Sequence, residues 1–160
     1  SMAREEEDIV ERLIQYGIKD TYKGYSPRTT LTKVAEVGNI KRFDFLVKNG
    51  SDPYESNTKV RIGFNPLISA IESHQSKMVK YLLEKYNYDL NIIYKNENLL
   101  HVIYSYNDWF DKEIFEFLLN KSNLDINSKN SRGETLLEVA IYNNDKKAVE
   151  YFLYKKLMKN

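Results

Sequence analysis

Apolar side chains recur along this chain with the period of a helix, not of a strand. A triplet at i, i+3, i+4 appears five times, as Val10/Leu13/Ile14, Phe43/Leu46/Val47, Val79/Leu82/Leu83, Phe115/Leu118/Leu119 and Val149/Phe152/Leu153. That spacing lines three side chains along one helical face. The first members of successive triplets are 33, 36, 36 and 34 residues apart. A second marker, a leucine opening another apolar stretch, falls at Leu31, Leu67, Leu100 and Leu137, each followed 12 to 15 residues later by a triplet. The arithmetic gives two helices per unit joined by a tight turn. First helices are predicted near 29–37, 65–73, 98–106 and 135–143, and second helices near 40–48, 75–85, 111–121 and 145–155.

Between each triplet and the next leucine lie turn formers: Asn49-Gly50-Ser51-Asp52-Pro53, Tyr88-Asp89-Leu90-Asn91, and Leu124-Asp125-Ile126-Asn127 leading to Asn130-Ser131-Arg132-Gly133. Gly and Asn tolerate positive φ, and Asp and Asn side chains bond the backbone two residues on, so these segments read as hairpin-like turns. Ahead of the first full unit, Arg4 to Gln15 reads as one more helix. Glu5, Glu6, Glu7 and Asp8 complement the dipole at its start, and Tyr16-Gly17 ends it.

The residues at these markers resemble the ankyrin repeat, whose signature is T-P-L-H-x-A on the first helix and a G-A-D-x-N-like end after the second. The first part stands here as Thr29-Thr30-Leu31-Thr32-Lys33-Val34-Ala35, Asn65-Pro66-Leu67-Ile68-Ser69-Ala70, Asn98-Leu99-Leu100-His101-Val102-Ile103 and Thr135-Leu136-Leu137-Glu138-Val139-Ala140. The second part stands as Gly50-Ser51-Asp52, Asp89-Leu90-Asn91 and Asp125-Ile126-Asn127. At the helix–helix turn Gly38 fits the family pattern, whereas His74, Asn107 and Asn144 replace glycine. The resemblance implies an all-α solenoid of stacked helix-turn-helix units with short hairpin-like turns. It would form a single domain over 4–156, with a half-repeat at 4–22 and repeats at about 23–56, 57–92, 93–129 and 130–156.

Composition narrows the function classes. With 24 basic against 23 acidic side chains the formal charge is +1, so no bulk field gathers phosphates, and nucleic acid is not an expected partner. No run is long and apolar enough to span a membrane, so no membrane association is expected. The absence of cysteine excludes disulfides, thiolate nucleophiles and cysteine-based zinc sites, and fits a cytoplasmic location.

Catalytic constellations are scarce. His101 takes the histidine place of the T-P-L-H signature, where the resemblance implies a hydrogen bond to neighbouring backbone, and His74 sits at a helix–helix turn with no carboxylate at ligand spacing. Asp52, Asp89 and Asp125 recur at equivalent places, which argues turn chemistry and not a catalytic pair. Glu36 and Glu72 are the pair of acids that could meet across the first helices. There is no glycine-rich phosphate loop. No cofactor or metal is expected.

What remains is recognition. The positions that the resemblance assigns to partner binding are Tyr25, Arg28 and Glu36 in the first full unit; Arg61, Phe64 and Glu72 in the second; Tyr94, Lys95, Glu97 and Tyr106 in the third; and Arg132, Glu134 and Tyr142 in the fourth. Tyrosine and arginine recur among them, the types enriched at interface hot spots. Two insertions add to the set. One, within Tyr54 to Gly63, carries Lys59, Val60 and Arg61. The other, Tyr106-Asn107-Asp108-Trp109-Phe110, sets the lone tryptophan beside a phenylalanine in a turn, where the aromatics either fold back onto the core or stand out as an anchor. Lys146, Lys147, Lys155, Lys156 and Lys159 make the last helix basic, as a solvated end face or as a seat for an acidic partner. The expectation is a monomeric, non-catalytic module that binds a partner protein through a concave face. It would act as an inhibitor or immunity-type protein; the alternatives are a host-directed effector module or the docking part of a larger enzyme chain.

Overall fold

A computed structural model describes residues 30–56, 63–106 and 110–158. The predicted helix at 4–15 and the half-repeat at 4–22, with Tyr25 and Arg28, lie outside the described residues, as do Arg61 and Trp109. The described residues form eight helices and one two-stranded hairpin. The chain divides into two compact units, one running to Asn87 and the other starting at Tyr88.

The first unit holds two helix pairs, α1 (Thr30–Val37) with α2 (Ile40–Lys48), and α3 (Pro66–Glu72) with α4 (Ser76–Lys85). The second opens on the antiparallel hairpin β1 (Ile93–Tyr94) and β2 (Glu97–Asn98), followed by α5 (Leu99–Tyr106) with α6 (Lys112–Lys121), and α7 (Leu136–Tyr142) with α8 (Lys146–Met158). Every predicted helix over the described residues is present, within three residues at each end. Polar residues start them: Asn39 Oδ1 accepts from Arg42 N at 3.0 Å, Asn65 Oδ1 from Ile68 N at 2.9 Å, and Asp111 Oδ1 from Glu113 N at 3.0 Å. Pro66 follows its cap at the first helical position, where no amide hydrogen is needed.

The turn between the helices of a pair requires a left-handed residue, whatever its identity. Gly38 adopts φ +81°, and His74 and Asn144, which replace glycine, adopt 56° and 57°. The departures from the family pattern at 74 and 144 therefore leave the turn intact; Asn107 lies outside the described residues. Gly38 has a second reason to be glycine: a Cβ there would lie 2.5 Å from Gln75 Oε1.

Within the first unit Leu31, Phe43, Leu67 and Leu82 are fully enclosed. Polar bonds tie one pair to the next: Ser69 Oγ donates to the Thr32 carbonyl at 2.7 Å in the interior, and Gln75 Nε2 to that of Glu36 at 3.0 Å where it is partly buried. The second unit encloses Leu99, Leu100, Phe115, Leu118 and Phe152. Two apolar expectations shift here. Leu136, not the marker Leu137, is the fully buried leucine of α7, and Leu153 of the fifth triplet stands exposed.

Both units close their second helices with the same polar latch. In the first, Asp44 of α2 accepts from Tyr81 and from Tyr86 Oη at 3.1 Å, and pairs with Lys85 Nζ at 3.1 Å. In the second, Glu116 of α6 accepts from Tyr151 Oη at 2.8 Å and from Lys155 Nζ at 2.8 Å. An acid on one helix meets a Tyr-x-x-x-Lys pair, one turn apart, on the next. Burial raises the Asp44 carboxyl, but hydrogen bonds from Tyr81, Lys85 and Tyr86 outweigh it and hold it below its ordinary value. The Lys155 hydrogen bond holds Glu116 low against burial. Burial and the Asp44 bond push Tyr86 up to about 12, and burial with the Glu116 bond raises Tyr151 as well.

Each latch hydroxyl is worth about 1 kcal/mol, so Tyr81→Phe and Tyr151→Phe should each lower unfolding free energy by about that much in urea titration. Both acids have depressed native pKa values, so their contribution is full above the ordinary values of 3.8 and 4.5 and is lost as pH falls through the native ones. The double variant Asp44→Asn, Glu116→Gln should start from lower stability and show a flatter acid limb than wild type in melts taken below about pH 5.

Candidate protein-interaction surface

The third repeat's finger is a true hairpin. Lys95 and Asn96 turn it at φ 52° and 64°, both positive, as a two-residue turn between right-twisted strands requires. Side chains alternate across the two-residue strand: Ile93 faces solvent and Tyr94 is 1% exposed. Phe64, just ahead of α3, is likewise 1% exposed. Both were expected on the binding face; both are core residues instead, Tyr94 because alternation in its strand turns it inward.

Around that buried base the tips are held by polar contacts. Lys95 Nζ donates to Tyr106 Oη at 2.7 Å and lies 5.4 Å from the Tyr106 ring centroid and 5.5 Å from that of Tyr94. The Glu97 carboxylate accepts from Ser131 N at 3.0 Å and Ser131 Oγ at 2.5 Å, binding the third finger to the fourth. In the fourth finger Asn130 Oδ1 accepts from the amides of Arg132 and Glu134, each at 2.9 Å, and Arg132 Nε pairs with Glu134 Oε1 at 3.3 Å. Tyr142, at the end of α7, is 87% exposed. The second unit thus brings Lys95, Glu97, Tyr106, Arg132 and Glu134 onto fingers and helix ends that are fixed to one another, with Tyr142 standing free at the end of α7. In the first unit Glu36 and Glu72 sit half-buried at the ends of α1 and α3, and Glu36 pairs with Lys33 at 3.5 Å.

Other sequence expectations find their places. Asp52, Asp89 and Asp125 each accept from the amide two residues on, at 2.9 Å, which is turn chemistry. His101 is buried and donates from Nε2 to the Ser128 carbonyl at 2.9 Å; the carbonyl can only accept, so Nε2 carries the proton. No group of three or more metal-ligating side chains occurs among the described residues. No described helix is long and apolar enough to cross a membrane. Phe110 folds back, with its ring 5.0 Å from Tyr151, 5.2 Å from Phe115 and 5.4 Å from Phe152.

Two family profiles, described as ankyrin repeats (3 copies) and ankyrin repeats (many copies), match residues 1–94 and residues 96–153, so the chain belongs to the ankyrin-repeat family. Its fold class is the all-α ankyrin-repeat solenoid. Among curated proteins none matches it. Members of this family are generally protein–protein interaction modules and typically non-catalytic.

Burial separates the two kinds of residue on the fingers. Tyr94→Ala and Phe64→Ala should each cost about 3 kcal/mol or more of unfolding free energy, as large aromatics removed from a core do. Lys95→Ala and Tyr142→Ala should stay within about 1 kcal/mol of wild type, with the difference read by guanidinium titration.

Proposed function

We propose that this protein binds a partner protein through its finger tips and first-helix ends, the face that ankyrin arrays turn to their partners, and that it works by covering the partner's functional surface as an inhibitor of the immunity type. The single observation behind this reading is the cross-tied pair of fingers, Lys95 to Tyr106 and Glu97 to Ser131. A surface held in place before the encounter loses little conformational freedom on binding, which favours tight occlusion by a small module. Tyr142 and Arg132 supply exposed side chains of the types that dominate interface energetics, and the mix of Lys95, Glu97, Arg132 and Glu134 fits a partner of both charges. A cysteine-free chain suits a reducing cytoplasm.

The test compares wild type with the triple variant Lys95→Ala, Arg132→Ala, Tyr142→Ala. Tyr94 is left alone because its loss disrupts the core. The triple variant should lose its partner in affinity capture, with Kd raised at least about tenfold, while thermal unfolding stays unchanged. The captured partner's own activity should fall on titration with wild type and not with the variant. Undiminished capture by the variant overturns the assigned surface; capture without loss of partner activity overturns the inhibitor role.

A further inference from the structure

The second unit carries an open cleft of about 480 Å³ between the start of α6 and the outer side of α8, lined by Phe110, Lys112, Lys147, Glu150, Tyr151 and Tyr154. Its size suits a small ligand or a few residues of peptide. Phe110 and Lys112 belong to the third repeat and the other four to α8, so the cleft is complete within these two repeats. Along α8 the spacing 147, 150, 151, 154 lays four side chains on one helical face. The base is aromatic and fixed. The Phe110 ring lies 5.0 Å from that of Tyr151 and is backed by Phe115 and Phe152, while Glu116 holds the Tyr151 hydroxyl. Tyr154, 57% exposed, adds a third ring.

Charge gives the cleft its sign. Lys112 and Lys147 are exposed, with no ion pair among the described residues. The neighbouring acids are engaged elsewhere: Glu116 with Lys155 and Tyr151, and Asp111 and Asp145 with the amides that open α6 and α8. Among the lining residues Glu150 is the one acid, which leaves two cations against one anion. Rings of this kind receive an aromatic side chain, lysines a carboxylate, and a glutamate an N–H donor. A bare aromatic acid would leave Glu150 without a donor, whereas a peptide brings its backbone amides with it.

We propose that this cleft binds a peptide segment of a partner protein in which an aromatic side chain stands beside carboxylates. The ring sits on Phe110, Tyr151 and Tyr154, the carboxylates face Lys112 and Lys147, and a backbone N–H of the segment donates to Glu150. The basic last helix and the folded-back phenylalanine, neither of which the finger surface uses, serve one site here. It shares no residue with that surface and stands or falls without it.

Amide-resolved NMR titration of the full chain tests this with three short peptides blocked at both ends, Asp-Phe-Asp, Asn-Phe-Asn and Asp-Ala-Asp. The first should bind with a Kd of about 1 mM or tighter, the weak end of specific association. The other two should bind at least about tenfold more weakly, since each lacks one of the two anchors. Shifts should concentrate at Lys112, Lys147 and Tyr154 and spare Lys95 and Tyr142, and added salt should weaken binding. Lys112→Glu with Lys147→Glu should lose the acidic peptide and take up Lys-Phe-Lys instead, with thermal unfolding unchanged. The finger variant Lys95→Ala, Arg132→Ala, Tyr142→Ala should bind Asp-Phe-Asp as wild type does. No binding of that peptide up to about 10 mM, equal affinity for all three peptides, shifts centred on the fingers, or a charge-reversed variant that keeps the acidic peptide would overturn the proposal. If the charge-reversed variant fails to fold, the three-peptide comparison on wild type decides alone.

Discussion

A pair of short antiparallel helices cannot bury both of its apolar sides by itself, and everything else in this protein follows from that constraint. Helices of seven to ten residues, which most of these are, are marginal on their own in water. They persist because Leu31 and Leu67 in the first unit, and Leu100 and Leu118 in the second, are closed off by the adjoining pair. Non-directional burial holds the pairs together, but it does not set how far one slides along the next. The polar bonds do that. Ser69 meets the Thr32 carbonyl and His101 that of Ser128, each at a distance that a shift of one residue would break.

The latches add direction to the same task. Asp44 and Glu116 occupy corresponding places in alternate repeats, and in each case a tyrosine and a lysine on the following second helix converge on the carboxylate. Only partial burial separates these groups from water, so each bond contributes modestly. Their value lies in specificity: an acid with two donors one turn apart accepts one alignment and penalises others. The fingers use the same economy, with Glu97 satisfying both the amide and the hydroxyl of Ser131.

Most of the helical framework was legible in the sequence because periodicity is a property of many residues at once. The triplet of every described second helix and the opening leucine of every described first helix falls inside a helix. What failed depended on single residues. Leu137 was expected to be the buried leucine of the fourth repeat, but a run of two leucines leaves open which one points inward, and Leu136 takes that place. Phe64 and Tyr94 were placed on the binding face by family position. Tyr94 sits in a two-residue strand, too short a pattern for alternation to announce its inward side, and Phe64, just ahead of α3, belongs to no strand and has no period to read. The aromatic pair in the third helix–helix turn left two outcomes open, and Phe110 takes the inward one because the rings of Phe115, Tyr151 and Phe152 offer it a place. The contact of Lys95 with Tyr106 went unforeseen, although both residues were singled out, because no local rule links a hairpin tip to a helix end eleven residues away.

The helix–helix turns accept glycine, histidine or asparagine in one backbone conformation, but they do not accept them equally at every copy. At position 38 the space a side chain would fill is taken by Gln75, whose amide is engaged with the Glu36 carbonyl. A residue larger than glycine at position 38 displaces the Gln75 amide, and the turn that admits it gives up a bond between neighbouring helix pairs.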